Sequence, residues 1–334
     1  MGQMLPHQNV ASALTQYDQH LPDAVTVVQS PKCVLFPIMP CFIRSTDDSG
    51  PAVTEGSIST VQPGALSELS NVTVISLSHN QISALDQNSF RNMPLLQTLL
   101  LDHNLLTLRA LEGGALTNLT RLEVLALGNN LIDRINSNLF KDTNSLRILK
   151  LEGNQISRLD SGSFPLTGLR VLESLDLSDN FINYLDKNSF RGLISLTTLD
   201  LSRNSLQSAP YEAFSYLTWL NNLNLDLNTW NCSCQLLELA DFLSAFIQEP
   251  DKTLYNGRRL VCVSADNPAV TTVLELTEAN CVPSNQNITV RVDTRGSITP
   301  QLYIRDLAIT GAVCFTGEKT APDIYNYAAC SNFT

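Results

Sequence analysis

The sequence predicts an α/β solenoid whose repeats pair their strands in one parallel sheet, closed at both ends by cysteine-bearing caps. Three observations carry this expectation. An eleven-residue unit, clearest at residues 172–182 (LESLDLSDNFI), returns seven times. The asparagine of each copy falls at Asn80, Asn104, Asn130, Asn154, Asn180, Asn204 and Asn228, in steps of 24, 26, 24, 26, 24 and 24 residues, a register that chance does not keep. All eight cysteines lie outside the repeats, two before and six after, as expected if disulfides staple the ends of a stack that leucines hold in the middle.

Each position of the pattern LxxLxLxxNxL has a physical role. Leu172, Leu175 and Leu177 point inward, and the alternation Leu175, Asp176, Leu177 is the period-two signature of a short strand. One short strand cannot bury its own apolar side, so neighbouring copies stack and pair in parallel. Asparagine suits the point where the strand ends and the chain turns in, because its amide satisfies backbone groups that would otherwise be buried without partners; its column becomes a ladder. The motif takes 11 residues of a 24-residue period and leaves 13 for the return, too few for a turn, a long helix and a second turn. The outer side must therefore be compact. Phe90, Phe140, Phe164, Phe190 and Phe214 each sit ten residues beyond an asparagine, a spacing that stacks aromatic rings along the back. After Asn104 the marker is Leu116, two residues late.

These residues resemble the leucine-rich repeat family, and the short outer segments look like its extracellular branch with cysteine-flanked caps. The resemblance covers residues 53–281. It implies a right-handed curved stack of about seven to eight repeats, with the parallel sheet on the concave face.

Taken in order, residues 1–30 are polar, without sustained periodicity, and read as a disordered leader with no signal peptide. Residues 31–52 form an abbreviated N-terminal cap: Cys33 and Cys41 bound an apolar segment that covers the open end of the stack, with two cysteines where the family usually has four. The repeats fill 53–230, the first one degenerate, with Val53, Ile58, Val61 and Leu66 facing the core. Residues 231–281 form the C-terminal cap. Trp230 plugs the last repeat beside Cys232 and Cys234, and a helix over 235–247 turns Leu236, Leu239, Leu243 and Phe246 to one face. The CxC spacing would also suit zinc, but no histidine follows His103. Similarity to the family's C-terminal cap implies disulfides Cys232 to Cys262 and Cys234 to Cys281. Residues 282–334 read as a stalk or tail. Its apolar stretch, 307–317, is 11 residues long, where a membrane span needs about 20. It is either the opening of an incomplete transmembrane helix or part of a disulfide loop joining Cys314 and Cys330.

The balance of 32 acidic against 21 basic residues, net −11, argues against nucleic acid as a partner. Five N-x-S/T triplets occur; Asn71, Asn118 and Asn287 are assigned as glycosylation sites, beside Asn332 and the more doubtful Asn231, which neighbours Cys232 and Cys234. Cysteine caps and acceptor triplets favour an extracellular or cell-surface location. Against this stands the missing signal peptide: either the chain starts after a removed signal, or its natural start differs, or it is cytosolic.

Columns flanking the inward leucines hold Asp102, Glu123, Glu152, Glu173, Asp176, Asp179, Asp200 and Asp226 against Arg147, Lys150 and Arg203. Asp102, His103, Lys150, Glu152, Asp176, Asp179, Asp200, Arg203 and Asp226 are assigned to partner binding, and the acid surplus suits a protein ligand with a basic patch. The same charge would also simply keep a long sheet soluble. His79 and His103 occupy equivalent positions on adjacent strands with Asp102 near; such a trio binds metal, senses acid pH, or is merely a set of solvated neighbours, and no metal is assigned. Hydrolase, kinase, phosphate-loop and metalloprotease signatures do not occur, so neither an enzyme nor a cofactor is expected. The expectation is a cell-surface or secreted protein-binding module of adhesion or receptor type. The alternatives are an auxiliary subunit of a membrane channel or receptor, associated through a missing or incomplete C-terminal span, and an extracellular matrix structural protein.

Overall fold

The computed structural model describes residues 58–61, 66, 71–90, 93–140, 142–257 and 260–281, together with four short strands between residues 312 and 332. The leader at 1–30, Cys33, Cys41, Val53 and Asn287 lie outside the described residues. Eight strands form one parallel sheet: Val74–Ser76 (β1), Thr98–Leu100 (β2), Val124–Ala126 (β3), Ile148–Lys150 (β4), Ser174–Asp176 (β5), Thr198–Asp200 (β6), Asn222–Asn224 (β7) and Thr253–Tyr255 (β8). Each strand pairs with its sequence neighbour, and equivalent positions of the repeat face each other. Seven strands come from the seven copies. The eighth comes from the C-terminal cap, which the sequence pattern did not mark as a strand.

The inward leucines form one continuous core, with Leu99, Leu125, Leu149, Leu175, Leu199 and Leu223 at its centre. Burying each such side chain contributes about 2 kcal/mol. On the outer side the chain returns through short pieces, as the period demands: paired two-residue strands (Thr60–Val61 with Ala84–Leu85, Arg158–Leu159 with Tyr184–Leu185), a five-residue helix Leu108–Glu112, a 3-10 turn Ser137–Phe140 and a four-residue helix Glu212–Ser215. Val61 and Leu66 of the degenerate first repeat are buried and Ile58 packs against the core.

The asparagines form the expected ladder, and each bridges two repeats. Asn180 is representative: Nδ2 donates to the carbonyls of Leu177 and Ser178 in its own copy and of Leu151 in the preceding one, at 3.1, 3.0 and 2.9 Å. Its Oδ1 accepts from the Ile156 amide at 3.0 Å. Asn104, Asn130, Asn154, Asn204 and Asn228 repeat this arrangement.

A spine of rings runs along the back. Phe140, Phe164, Phe190 and Phe214 follow one another at 6.1 to 6.4 Å between centroids. Phe90 is buried but separated from them by the second copy, where the helix Leu108–Glu112 and buried Leu116 take the place of a ring. At the other end the spine continues into the cap through Phe242 and Phe246, at 6.0 and 6.1 Å. Both rings lie on the ten-residue helix Leu237–Phe246, whose Leu239, Ala240, Leu243 and Phe246 are buried over the last repeat.

Trp230 is buried, and its indole N–H donates to the Leu225 carbonyl at 3.3 Å. Disulfides join Cys232 to Cys262 and Cys234 to Cys281, with Cα separations of 5.7 and 5.1 Å. This is the pairing that the resemblance implies, and it takes both cysteines of the CxC that zinc would have needed. In the tail, Ala312–Cys314 pairs antiparallel with Cys330–Asn332, with Cys314 opposite Cys330. That backbone register suits a closed loop rather than the opening of a helix. Among the described residues no helix is long and apolar enough to cross a membrane.

Candidate protein-binding face

The sheet presents its outward side chains in columns. Strand pairing sets Ser76, Leu100, Ala126, Lys150, Asp176, Asp200, Asn224 and Tyr255 in one row. One end of the row is small or apolar, the middle charged, and the far end amide and aromatic. Two residues beyond each strand of the first seven runs a second row: Ser78, Asp102, Gly128, Glu152, Ser178, Ser202 and Asp226. The third row, just before each ladder asparagine, is His79, His103, Asn129, Gly153, Asp179, Arg203 and Leu227, and every one has positive φ, between 51° and 67°. Asn, Asp, His and Gly tolerate this left-handed conformation. Arg203 and Leu227 adopt it because the chain must turn inward there in every repeat.

All nine residues assigned to partner binding lie on these rows. Asp102, Lys150, Glu152, Asp176, Asp200 and Asp226 are half-buried, while His103, Asp179 and Arg203 are exposed. Several are already engaged. Arg147 pairs with Glu173 at 2.6 Å and Arg203 with Asp179 at 3.1 Å, each across neighbouring repeats. Asp200 accepts from the Asn224 amide at 2.9 Å, and Asp226 from that of Asn256 at 2.7 Å. Asp176 accepts from both the amide and the hydroxyl of Ser178, at 2.9 and 2.7 Å. Internal pairing thus consumes two of the three bases and two acids. It leaves Asp102, Glu123, Glu152, Asp176, Asp200 and Asp226 against Lys150, so the face keeps its acidic surplus.

Glu152 differs from its neighbours. The next position in its row is Gly128, and the Glu152 carboxyl lies over that bare Cα, where a methyl group would overlap it. Folded down in this way, its Oε2 is buried without a hydrogen-bond partner. Burial, helped by the nearby Asp176 and more weakly Asp102 and opposed by Lys150, raises its pKa from the ordinary 4.5 to about 6. Burial also raises the Asp176 carboxyl, with Asp200 adding to the effect and the Ser178 hydrogen bonds opposing it.

A carboxyl raised in the folded state favours the protonated form there, so its stabilisation is full below the unfolded pKa and is lost as pH rises through the folded value. The expected result is that Glu152→Gln is more stable than the wild type at pH 7 by roughly 2 kcal/mol, at about 1.4 kcal/mol per pKa unit, and that the difference vanishes near the ordinary carboxyl range. Urea midpoints of the two proteins at both pH values measure it; a constant difference would show that the Glu152 carboxyl is not held down.

Of the proposed glycosylation sites, Asn71 and Asn118 are exposed. Asn231 is half-buried and its Oδ1 accepts from the Ser264 hydroxyl at 2.8 Å.

The leucine-rich repeat family model matches residues 52–106, 107–156 and 167–229, together half of the chain. Among curated proteins, the chain is 38% identical over 108 residues to Leucine-rich repeat-containing protein 53 of Macaca fascicularis, covering 32% of this chain and 21% of that protein. It is 37% identical over 102 residues to the Homo sapiens protein of the same name, covering 30% of this chain and 8% of that protein. The match therefore spans 21% of one relative's length and 8% of the other's. With the stacked parallel strands, the asparagine ladder and the family match agreeing, this chain belongs to the leucine-rich repeat family, whose stacks serve as protein-binding modules.

Proposed function

We propose that the chain is a cell-surface or secreted recognition module that binds a protein partner with a basic patch through the sheet face. The observation that carries this reading is the acidic surplus left after internal pairing: only Lys150 among the face's three bases is free of a salt bridge among the described residues. Charges already spent on each other would serve solubility alone, whereas a surplus in a concave row attracts a basic surface and raises the rate of encounter. Two cap disulfides and the exposed Asn71 and Asn118 support an oxidising compartment.

The test has two arms. Native protein from its source tissue should run faster after N-glycosidase treatment, and faster unreduced than reduced; no change in either comparison would place the chain in a reducing compartment. A panel of immobilised ectodomains should then include a saturable binder whose association slows with salt. The triple change Asp176→Asn, Asp200→Asn, Asp226→Asn should slow that association about tenfold at low ionic strength, while an equal charge change on the outer side at Asp133, Asp160 and Asp186 should not. Equal slowing by both sets would reduce the effect to net charge and remove the face from the mechanism.

A further inference from the structure

We propose that His79, Asp102 and His103 form a binding site for one divalent transition-metal ion of the zinc, copper or nickel class. The site stands on these three side chains and does not depend on the face binding a protein. The histidines occupy the same row in adjacent repeats and stack with 4.1 Å between ring centroids and planes 18° apart. One donor atom from each of the three residues lies within 4.8 Å of the others. Both backbones are pinned: the His79 amide donates to the Asp102 carbonyl at 3.0 Å, the His103 amide to the Gly128 carbonyl at 2.9 Å, and both residues have φ 54°.

Asp102 is oriented from both sides. Its Oδ1 accepts from the Ser78 hydroxyl at 2.6 Å and its Oδ2 lies 3.1 Å from Nδ1 of His103. A carboxylate held by a neighbouring hydroxyl is the arrangement in which a ligand's partner fixes its direction and sharpens affinity. Two neutral imidazoles and one carboxylate match zinc, copper(II) and nickel(II), whereas calcium and magnesium prefer oxygen alone.

A tetrahedral ion with bonds of about 2.0–2.1 Å keeps its donors about 3.3 Å apart. Asp102 Oδ2 and His103 Nδ1, 3.1 Å apart, already meet this spacing, and the widest gap in the trio has to close by no more than roughly 1.5 Å. In the stacked pose the in-plane lone pairs run side by side. Both histidines are exposed, so rotation about their side-chain bonds turns the nitrogens onto a common point while the pinned backbone stays in place. Three protein donors leave at least one coordination position for water or for a donor group brought by a partner.

The test uses the full chain without a purification tag, carrying His7→Gln and His20→Gln so that the only imidazoles are this pair. Titration calorimetry with zinc, nickel and copper salts should show one ion per chain, and magnesium and calcium should give no binding. His79→Gln, His103→Gln and Asp102→Asn should each weaken binding at least tenfold, and Ser78→Ala about tenfold, with metal-free melting of the histidine variants unchanged. Absence of binding in the parent protein would overturn the proposal. So would equal binding after His79→Gln and His103→Gln are combined.

Discussion

Replacing Asn180 by alanine is expected to lower stability by about 4 kcal/mol, a large share of what holds a domain folded. The residue is 5% exposed, and truncating it orphans the buried amide of Ile156 and removes one of two donors from the carbonyls of Leu151, Leu177 and Ser178, which keep Asn154 Nδ2, Asn204 Nδ2 and the Gly153 amide respectively. The orphaned amide costs about 1–3 kcal/mol and each lost bond to a carbonyl that keeps its other donor about 0.5–1.5 kcal/mol, not fully additively. Asn180→Asp separates hydrogen bonding from packing. It keeps the shape but presents an oxygen to three carbonyls, so it should cost at least as much as alanine. Urea unfolding followed by circular dichroism measures both, and hydrogen exchange should show the Ile156 amide losing protection. If aspartate were tolerated while alanine was not, the ladder would be acting by filling space.

Phe214→Ala is the second large effect, at about 3–5 kcal/mol, the usual cost of emptying a buried phenylalanine site. Phe214 is 1% exposed and stands between Phe190 of the stack and Phe242 of the cap, 6.2 and 6.0 Å away. Its loss should do more than destabilise. The cap helix is tied to the last repeats by this spine and by the inward face of Leu239 and Leu243, so the cap should open before the repeats do. Limited proteolysis should then cut the variant first between residues 237 and 257, with the fragment retained by the Cys232 to Cys262 disulfide until reduction. By contrast, Phe140→Ala, at the far end of the ring series, should leave cap cleavage at the wild-type rate.

The repeats were legible because their pattern is enforced many times over: an inward leucine and a ladder asparagine in all seven copies and a backing phenylalanine in five each answer a burial problem that the sequence states openly. Strand β8 was not, because Thr253, Leu254 and Tyr255 are followed by no ladder asparagine in phase. They join the sheet because the Thr253 amide donates to the Asn221 carbonyl, as the Asn221 amide donates to that of Thr197 in the repeat before. The same limit applies on the binding face. Glu152 reads from sequence as one acid among eight; what sets it apart is Gly128 one repeat earlier, since only there does the row leave room for a carboxyl to lie flat. A glycine in an otherwise side-chain-bearing row was the available signal. The proximity of His79 and His103 followed from strand spacing, but the hydroxyl of Ser78 bracing Asp102 depends on a rotamer that no spacing reports.

The ladder also decides how this protein would respond to being pulled. Strand pairing and the asparagine bonds tie each repeat to its immediate neighbours in the stack. A load applied along the solenoid axis would fall on one such junction at a time, so the stack should extend by successive release of single units at low, nearly constant force. The stapled cap is different: the Cys232 to Cys262 and Cys234 to Cys281 bonds would stop extension there, leaving a short inextensible anchor at one end of a compliant spring.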